Sequence, residues 1–231
     1  MLVIISKIEI SYDILVLFNG KHRMYTPPHF KEVRESKILN IIENFPLATV
    51  VCNNESELII NHIPLIRLSP KIYLGHIAKA NLFHSTFPNG VDAIAVFSSD
   101  NSYVSPNWYP SKKLTHRHVP TWNYQVVHLE GRINFDYSHK SKLRVLGMLT
   151  KLYEGKHSDN VGWKMSDAPK DYLALMLDNI VAFEFDVRNI IAKSKLSQNR
   201  AKEDFNSVKT MMSKLNKSYL LEAIEDIEDV D

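Results

Sequence analysis

The chain has 231 residues, 45% of them hydrophobic and 23% charged, with a formal net charge of +2. This is the profile of an ordinary soluble globular protein with enough length to bury a substantial core, and the small charge argues against a strongly basic nucleic-acid surface. Its single cysteine, Cys52, excludes a disulfide framework or a thiolate zinc site within one chain. The apolar run Leu47 to Val51 beside it reads as the setting of a buried, inert thiol, with the cytoplasm as the natural compartment.

Residues 1–23 hold two apolar runs, Met1 to Ile5 and Ile14 to Phe18, with Lys7, Glu9 and Asp13 between them. No membrane span fits, and no uninterrupted apolar stretch leads to a small-residue cleavage site. The character changes at Met24, so residues 1–23 read as an N-terminal extension outside the core, open to being no part of the native chain. Residues 24–217 then form one domain, and residues 218–231 an acidic C-terminal tail.

Within that domain, residues 29–44 carry a helical pattern: Val33, Ile38, Ile41, Ile42 and Phe45 recur at three and four, after Pro27-Pro28 and before Pro46. Short β-like runs follow at Leu47–Cys52, Leu58–Leu65, Lys71–Ala80 and Ala93–Phe97. Ser98 to Asn101 closes the last of these, and Tyr103-Val104 extends a hairpin from it. Thr121–Phe135 is the longest run. This spacing favours an antiparallel barrel or sandwich over a parallel sheet. Ser138 caps a helix to Leu152, Ser166 to Pro169 opens another to Asn179, and residues 181–187 alternate as a half-buried strand. Lys193 to Arg200 reads as a basic connector, suited equally to closing over an anionic ligand or to capping and solubilising the last helix. A final amphipathic helix runs from Lys202 past Leu215, and Glu222 to Asp231 frays. The fold class is mainly β with added helices (α+β).

The densest chemistry lies in Tyr103 to Tyr124. These 22 positions hold Trp108, Trp122, Tyr103, Tyr109, Tyr124, Pro106, Pro110 and Pro120 among small polar residues. Aromatic faces, stiff turns and short hydrogen-bonding groups suit a flat ring with polar edges. On the alternating run from Thr121, the row Thr121, Asn123 and Gln125 reads either as donors and acceptors for such an edge or as the wet face of a sheet. Leu74 to Asn81 offers a second feature. His76 shares one strand face with Ala78 and Ala80, while Lys79 and Asn81 share the other with Gly75 and Ile77. A cation and an amide there suit a phosphate, or simply a solvated strand end. His116, His118 and His128 have no carboxylate or cysteine at supporting spacing, so no metal site is expected. No Gly-rich phosphate loop and no hydrolase or metalloprotease motif occurs.

Seven stretches together resemble a known family: Met24-Tyr-Thr-Pro-Pro-His-Phe30, Phe45-Pro-Leu-Ala-Thr49, Asn61-His-Ile-Pro-Leu65, Gly75-His-Ile-Ala-Lys-Ala-Asn81, Tyr103-Val-Ser-Pro-Asn-Trp-Tyr-Pro-Ser-Lys112, Val119-Pro-Thr-Trp-Asn-Tyr124 and Lys195-Leu-Ser-Gln-Asn-Arg200. In order and content they are similar to the PaiB-type FMN-binding proteins, a family labelled as negative transcriptional regulators. The resemblance implies an antiparallel split β-barrel like that of the pyridoxamine-phosphate oxidases, a homodimer, and FMN at the subunit interface. DNA is an implied partner and a membrane is not. Where the oxidases hold the FMN phosphate with a Ser-Arg-Lys run, this chain has Ala78-Lys79-Ala80, so Lys79 is the expected phosphate partner. His76, Asn81, Ser105, Trp108, Tyr109, Trp122 and Asn123 complete the expected site. Trp108 or Trp122 would flank the ring, with Ser105 and Asn123 on its polar edge. A flavin-dependent oxidoreductase is the alternative, since flavin carries its own hydride chemistry. Haem binding, through His76 or His128, is a further one.

Overall fold

The structure is a computed structural model, and it describes residues 24–53, 58–157 and 162–228. The expected N-terminal extension, residues 1–23, lies outside the described residues. After a single helical turn at Pro28–Phe30 come β1 (Lys31–Glu32), α1 (Glu35–Asn44), β2 (Leu47–Asn53), β3 (Leu58–Pro64), β4 (Ile66–Arg67) and β5 (Ile72–Ala78). Next are α2 (Phe83–Thr86), β6 (Val91–Val104), α3 (Lys112–Thr115), β7 (Thr121–Asp136) and α4 (His139–His157). The chain ends with α5 (Lys170–Asp178), β8 (Ile180–Lys195), α6 (Lys202–Lys214) and α7 (Ser218–Glu228).

All eight strands join one antiparallel sheet in the order β3-β2-β6-β7-β8-β5-β4, with β1 also paired to β8. The ladder does not close on itself, so the sheet curls into a split barrel. A side-chain bond spans part of the split: the Asn81 amide donates to Asn61 Oδ1 at 2.7 Å. The interior is packed by alternating residues of the long strands, among them Ala95, Phe97, Val127, Leu129, Phe183 and Phe185, with Ile41 and Ile42 of α1 plugging one end. Burying side chains of this size supplies the main driving force for the fold, about 1.5–3 kcal/mol each. A second cluster joins Val104, Tyr109 and Leu196 to Phe205, Val208 and Met212 of α6 and Leu220 and Ile224 of α7. A third seats Val145 and Leu149 of α4 on Ile66, Leu74 and Ala182.

Gly75 and Gly131 are among the glycines required by close approach. A Cβ on Gly75 would lie 2.4 Å from the Phe183 ring, and one on Gly131 would lie 2.1 Å from the Asp186 carbonyl oxygen. Gly131 stands where the β7–β8 register shifts, and its bare backbone lets the two strands stay in contact through the bulge.

The strand pattern departs from the sequence expectation in four places. Residues 29–44 divide into a turn, β1 and α1, because Lys31 and Glu32 pair with β8 instead of entering the helix. Ser98 to Asn101 does not end a strand: β6 runs through it with a register shift. β8 extends to Lys195, so Lys193 and Lys195 are strand residues and not a connector. The final helix breaks at Asn216, whose φ of 53° is left-handed, and residues from Ser218 form α7 with Leu220 and Ile224 fully buried, in place of a frayed end. Lys37 and Lys217 help to hold α7 and its preceding turn, through Asp226 and Asp100 respectively. No helix among the described residues is long and apolar enough to cross a membrane.

Candidate functional site

The expected site residues fall into two groups. His76 lies on β5, and Lys79 and Asn81 follow just beyond its end. Ser105, Trp108, Tyr109, Trp122 and Asn123 gather where β6 ends and β7 begins. Ala78 pairs with Ile180 at the start of β8, whereas Tyr124 pairs with Lys195 at its finish. Fifteen residues of one strand therefore separate the groups, a path of about 50 Å at the usual rise. A single chain does not bring them together.

At the β5 end, Lys79 is exposed, and its ammonium makes no hydrogen bond or ion pair among the described residues. Its backbone is fixed on both sides: the N–H donates to Asn179 O at 2.8 Å, and His84 Nε2 bonds its carbonyl at 2.9 Å. Asn81 uses its amide on Asn61 and its oxygen on the Phe83 N–H, so it braces the turn. His76 Nδ1 is buried without a hydrogen-bond partner, and burial lowers the ring's pKa, which keeps the imidazole neutral.

At the β6–β7 end, Ser105 caps the turn Pro106–Trp108 by accepting from the Asn107 N–H at 3.2 Å. Trp108 packs on the α6–α7 cluster, and its carbonyl accepts from Ser207 Oγ at 2.5 Å. Tyr109 is buried, with the Arg200 guanidinium 4.8 Å above its ring and His118 beside it. Trp122 alone of the two expected indoles stands free: it is 52% exposed and meets Tyr103 edge-on at 5.9 Å.

The row Asn123, Gln125, Val127 and Leu129 points inward and is buried, so it is not a wet face. Each of the two buried amides has one half satisfied by a specific partner, while Asn123 Nδ2 and Gln125 Oε1 are buried with none among the described residues. Asn123 Oδ1 accepts from Ser197 Oγ at 2.9 Å, and Gln125 Nε2 donates to Ser194 Oγ at 2.8 Å. Ser194 in turn donates to Glu32, whose carboxylate holds Arg34 through two bonds of 2.9 and 2.7 Å. Burial alone would raise the Glu32 pKa. The Arg34 and Ser194 hydrogen bonds outweigh it and hold the carboxyl below its usual range.

On the opposite face of the same strands lies an open cleft of about 590 Å³. Its walls include Tyr25, Phe30, Trp122 and Tyr124, and its floor Lys193 and Lys195. Lys193 is only 7% exposed; its ammonium sits 5.2 Å from the Tyr124 ring centre and 5.7 Å from that of Tyr25. Lys195 donates to Thr121 Oγ1 and to the Trp122 carbonyl, 5.8 Å from the Phe30 ring centre. Burial, then the neighbouring charges of Lys193 and Arg200, lower its pKa. The sequence marks this stretch as a basic run suited to an anionic ligand or to capping the last helix, but the turn-forming Ser, Gln and Asn residues after the lysines hide their place on a strand. The period-two spacing of Lys193 and Lys195 was the available signal.

A family model described as "Putative FMN-binding domain" matches residues 24–189. The chain is 36% identical over 190 residues to the Bacillus subtilis protease synthase and sporulation protein PAI 2, covering 80% of this chain and 87% of that one. It is 27% identical to an uncharacterised Saccharomyces cerevisiae protein, YKL070W, over 59% of this chain and 94% of the other. Among solved structures, the FAD- and haem-binding protein of Mycobacterium smegmatis superposes with a TM-score of 0.53 at 15% identity, over 77% of this chain and 79% of that one. The flavocytochrome Anf3 of Azotobacter vinelandii gives 0.51 at 13% identity, over 77% and 75%. At these identities the two structures speak for the fold alone. The sequence match spans most of the barrel, and the chain belongs to this FMN-binding family, built on a split β-barrel.

Proposed function

We propose that the protein binds FMN between two copies of the chain and works as a flavin-linked regulator of the PaiB type. The observation that carries the reading is the separation of an unpaired cation, Lys79, from an exposed indole, Trp122, at opposite ends of β8. A two-fold axis running two such sheets past each other sets one chain's Lys79 end against the other's aromatic end. The residue types suit FMN: an ammonium for the phosphate, an indole face for the ring, and an open cleft beside it. Bound FMN would supply hydride and electron chemistry. Exposed Leu47, Leu58 and Ile60 on the β2–β3 hairpin add apolar surface of the kind a partner covers.

The regulatory part of the reading is supported by the likeness to PAI 2 and by the PaiB-type motif set. The acidic residues of α7, Glu222, Glu225 and Asp226, make the α6–α7 pair a poor surface for DNA, which favours regulation through another protein or through the flavin's state.

The test is to add FMN to the purified protein, pass it through gel filtration and record flavin absorption and molecular mass together. Co-elution of flavin with a dimer supports the reading. A protein that elutes flavin-free after incubation with excess FMN refutes it. Haem added in parallel addresses the other ligand, with His76 or His128 as the expected iron donor. A gel shift that stays absent at low salt would remove direct DNA binding from the reading.

A further inference from the structure

The cleft beside Trp122 holds more positive charge than the fold explains. Lys193 and Lys195 are two residues apart on β8 and face the same side. Lys31 on β1 is the direct cross-strand partner of Lys193, so three lysines share one patch of the sheet. Like charges placed opposite each other cost stability, and a buried ammonium without a counter-ion costs more. Glu32, the carboxylate next to Lys31, lies on the other face with Ser194 and is already taken by Arg34. Among the described residues neither cleft lysine has a carboxylate partner; Lys193 bonds the Tyr25 carbonyl and Lys195 the Thr121 hydroxyl and Trp122 carbonyl. Each keeps at least one N–H free. The walls above them are rings: Tyr25, Phe30, Trp122 and Tyr124.

We infer that this cleft binds a small planar aromatic anion, its ring against Trp122, Tyr25 and Tyr124 and its carboxylate or phosphate on Lys193 and Lys195. The inference rests on the flavin reading in one respect: Trp122 is the wall shared with the proposed FMN ring, so the ligand is a second molecule meeting the flavin there, of the class a flavoprotein would reduce, oxidise or sense. All of the cleft's lining comes from one chain, so its occupancy does not itself require a dimer. The volume, about 590 Å³, is in the range of small-molecule sites.

Three probes of one shape separate charge from ring: 2-naphthoate, 2-naphthyl phosphate and the neutral 2-naphthamide, titrated by calorimetry into the full chain with and without saturating FMN. Naphthoate or naphthyl phosphate is expected to bind at least about tenfold more tightly than naphthamide, and whichever anion binds better identifies the headgroup. Lys193→Met and Lys195→Met should each cost the anion about tenfold or more and leave naphthamide unchanged, with circular dichroism verifying the fold. If Lys193→Met does not fold, Lys195→Met and Lys195→Arg, which keeps the charge and the anion binding, decide the matter. Equal binding of all three probes, or no loss in the Met variants, overturns the inference. Displacement of naphthoate by FMN also overturns it, by making the cleft the flavin's own, while leaving the flavin reading standing. Lysine-dependent naphthoate binding by a protein that takes no FMN does the reverse.

Discussion

Asn123 Oδ1 accepts a hydrogen bond from Ser197 Oγ at 2.9 Å, joining two residues 74 apart, with Asn123 fully buried two residues into β7. Ser197 is held there in a left-handed conformation, φ 68°, just after β8 ends. The bond thus fixes how the chain leaves the sheet to enter α6. Asn123→Ala leaves a buried hydroxyl without its acceptor, and should cost about 1–3 kcal/mol. Thermal melts of the single variants and of Asn123→Ala with Ser197→Ala provide the check. The double variant should lose less than the sum of the singles; strict additivity would mean that the pair contributes nothing as a pair.

Gly131 is the tightest point between β7 and β8, its missing Cβ replaced by the Asp186 carbonyl. Gly131→Ala must push two backbones apart, and the expected loss is about 3 kcal/mol, the upper part of the overpacking range. Chemical denaturation measures it. Stability equal to the parent would show that the strands have slack at the bulge.

Cys52 is buried, and burial pushes its thiol pKa up to about 12. Near neutral pH almost none of it is thiolate. The native protein should resist a thiol-specific reagent and react once per chain after denaturation. Fast native labelling would contradict its place in the barrel core.

Lys195 has a lowered pKa, through burial first and then Lys193 and Arg200. Below 10.5, the value in the unfolded chain, the unfolded state binds more protons at this site than the folded one. Stability from this residue therefore rises with pH between the lowered folded value and 10.5, and its charge is a burden below that window. Lys195→Met should raise the melting temperature at pH 7 by more than at pH 10. A variant that is less stable than the parent at both pH values would show that its bonds to Thr121 and Trp122 outweigh the charge cost.

The split barrel was legible because its long strands alternate: β7 was read to within a residue, and the helix after Ser138 from its cap. What alternation does not reveal is which face is wet. Of the Thr121, Asn123 and Gln125 row, Asn123 and Gln125 are polar yet interior, because Ser194 and Ser197, some seventy residues on, come to meet them. The end of β8 was lost for a related reason. Lysines and serines read as a connector until β1 and β7 are seen pairing on either side of them. The Lys79 and Trp122 ends were both marked by their motifs, but their distance from each other is a property of the β8 register, which no local pattern encodes.

The central claim is a flavin site shared by two chains, and mixed dimers test it most directly. Lys79→Ala and Trp122→Ala should each weaken FMN binding, Lys79→Ala by about 1–3 kcal/mol. Co-expressed with different affinity tags and purified as the mixed dimer, the two variants place both lesions in one site and leave the other intact. The account predicts parent-like FMN affinity at half the parent's stoichiometry. Mixed dimers that bind FMN no better than either variant alone would contradict it.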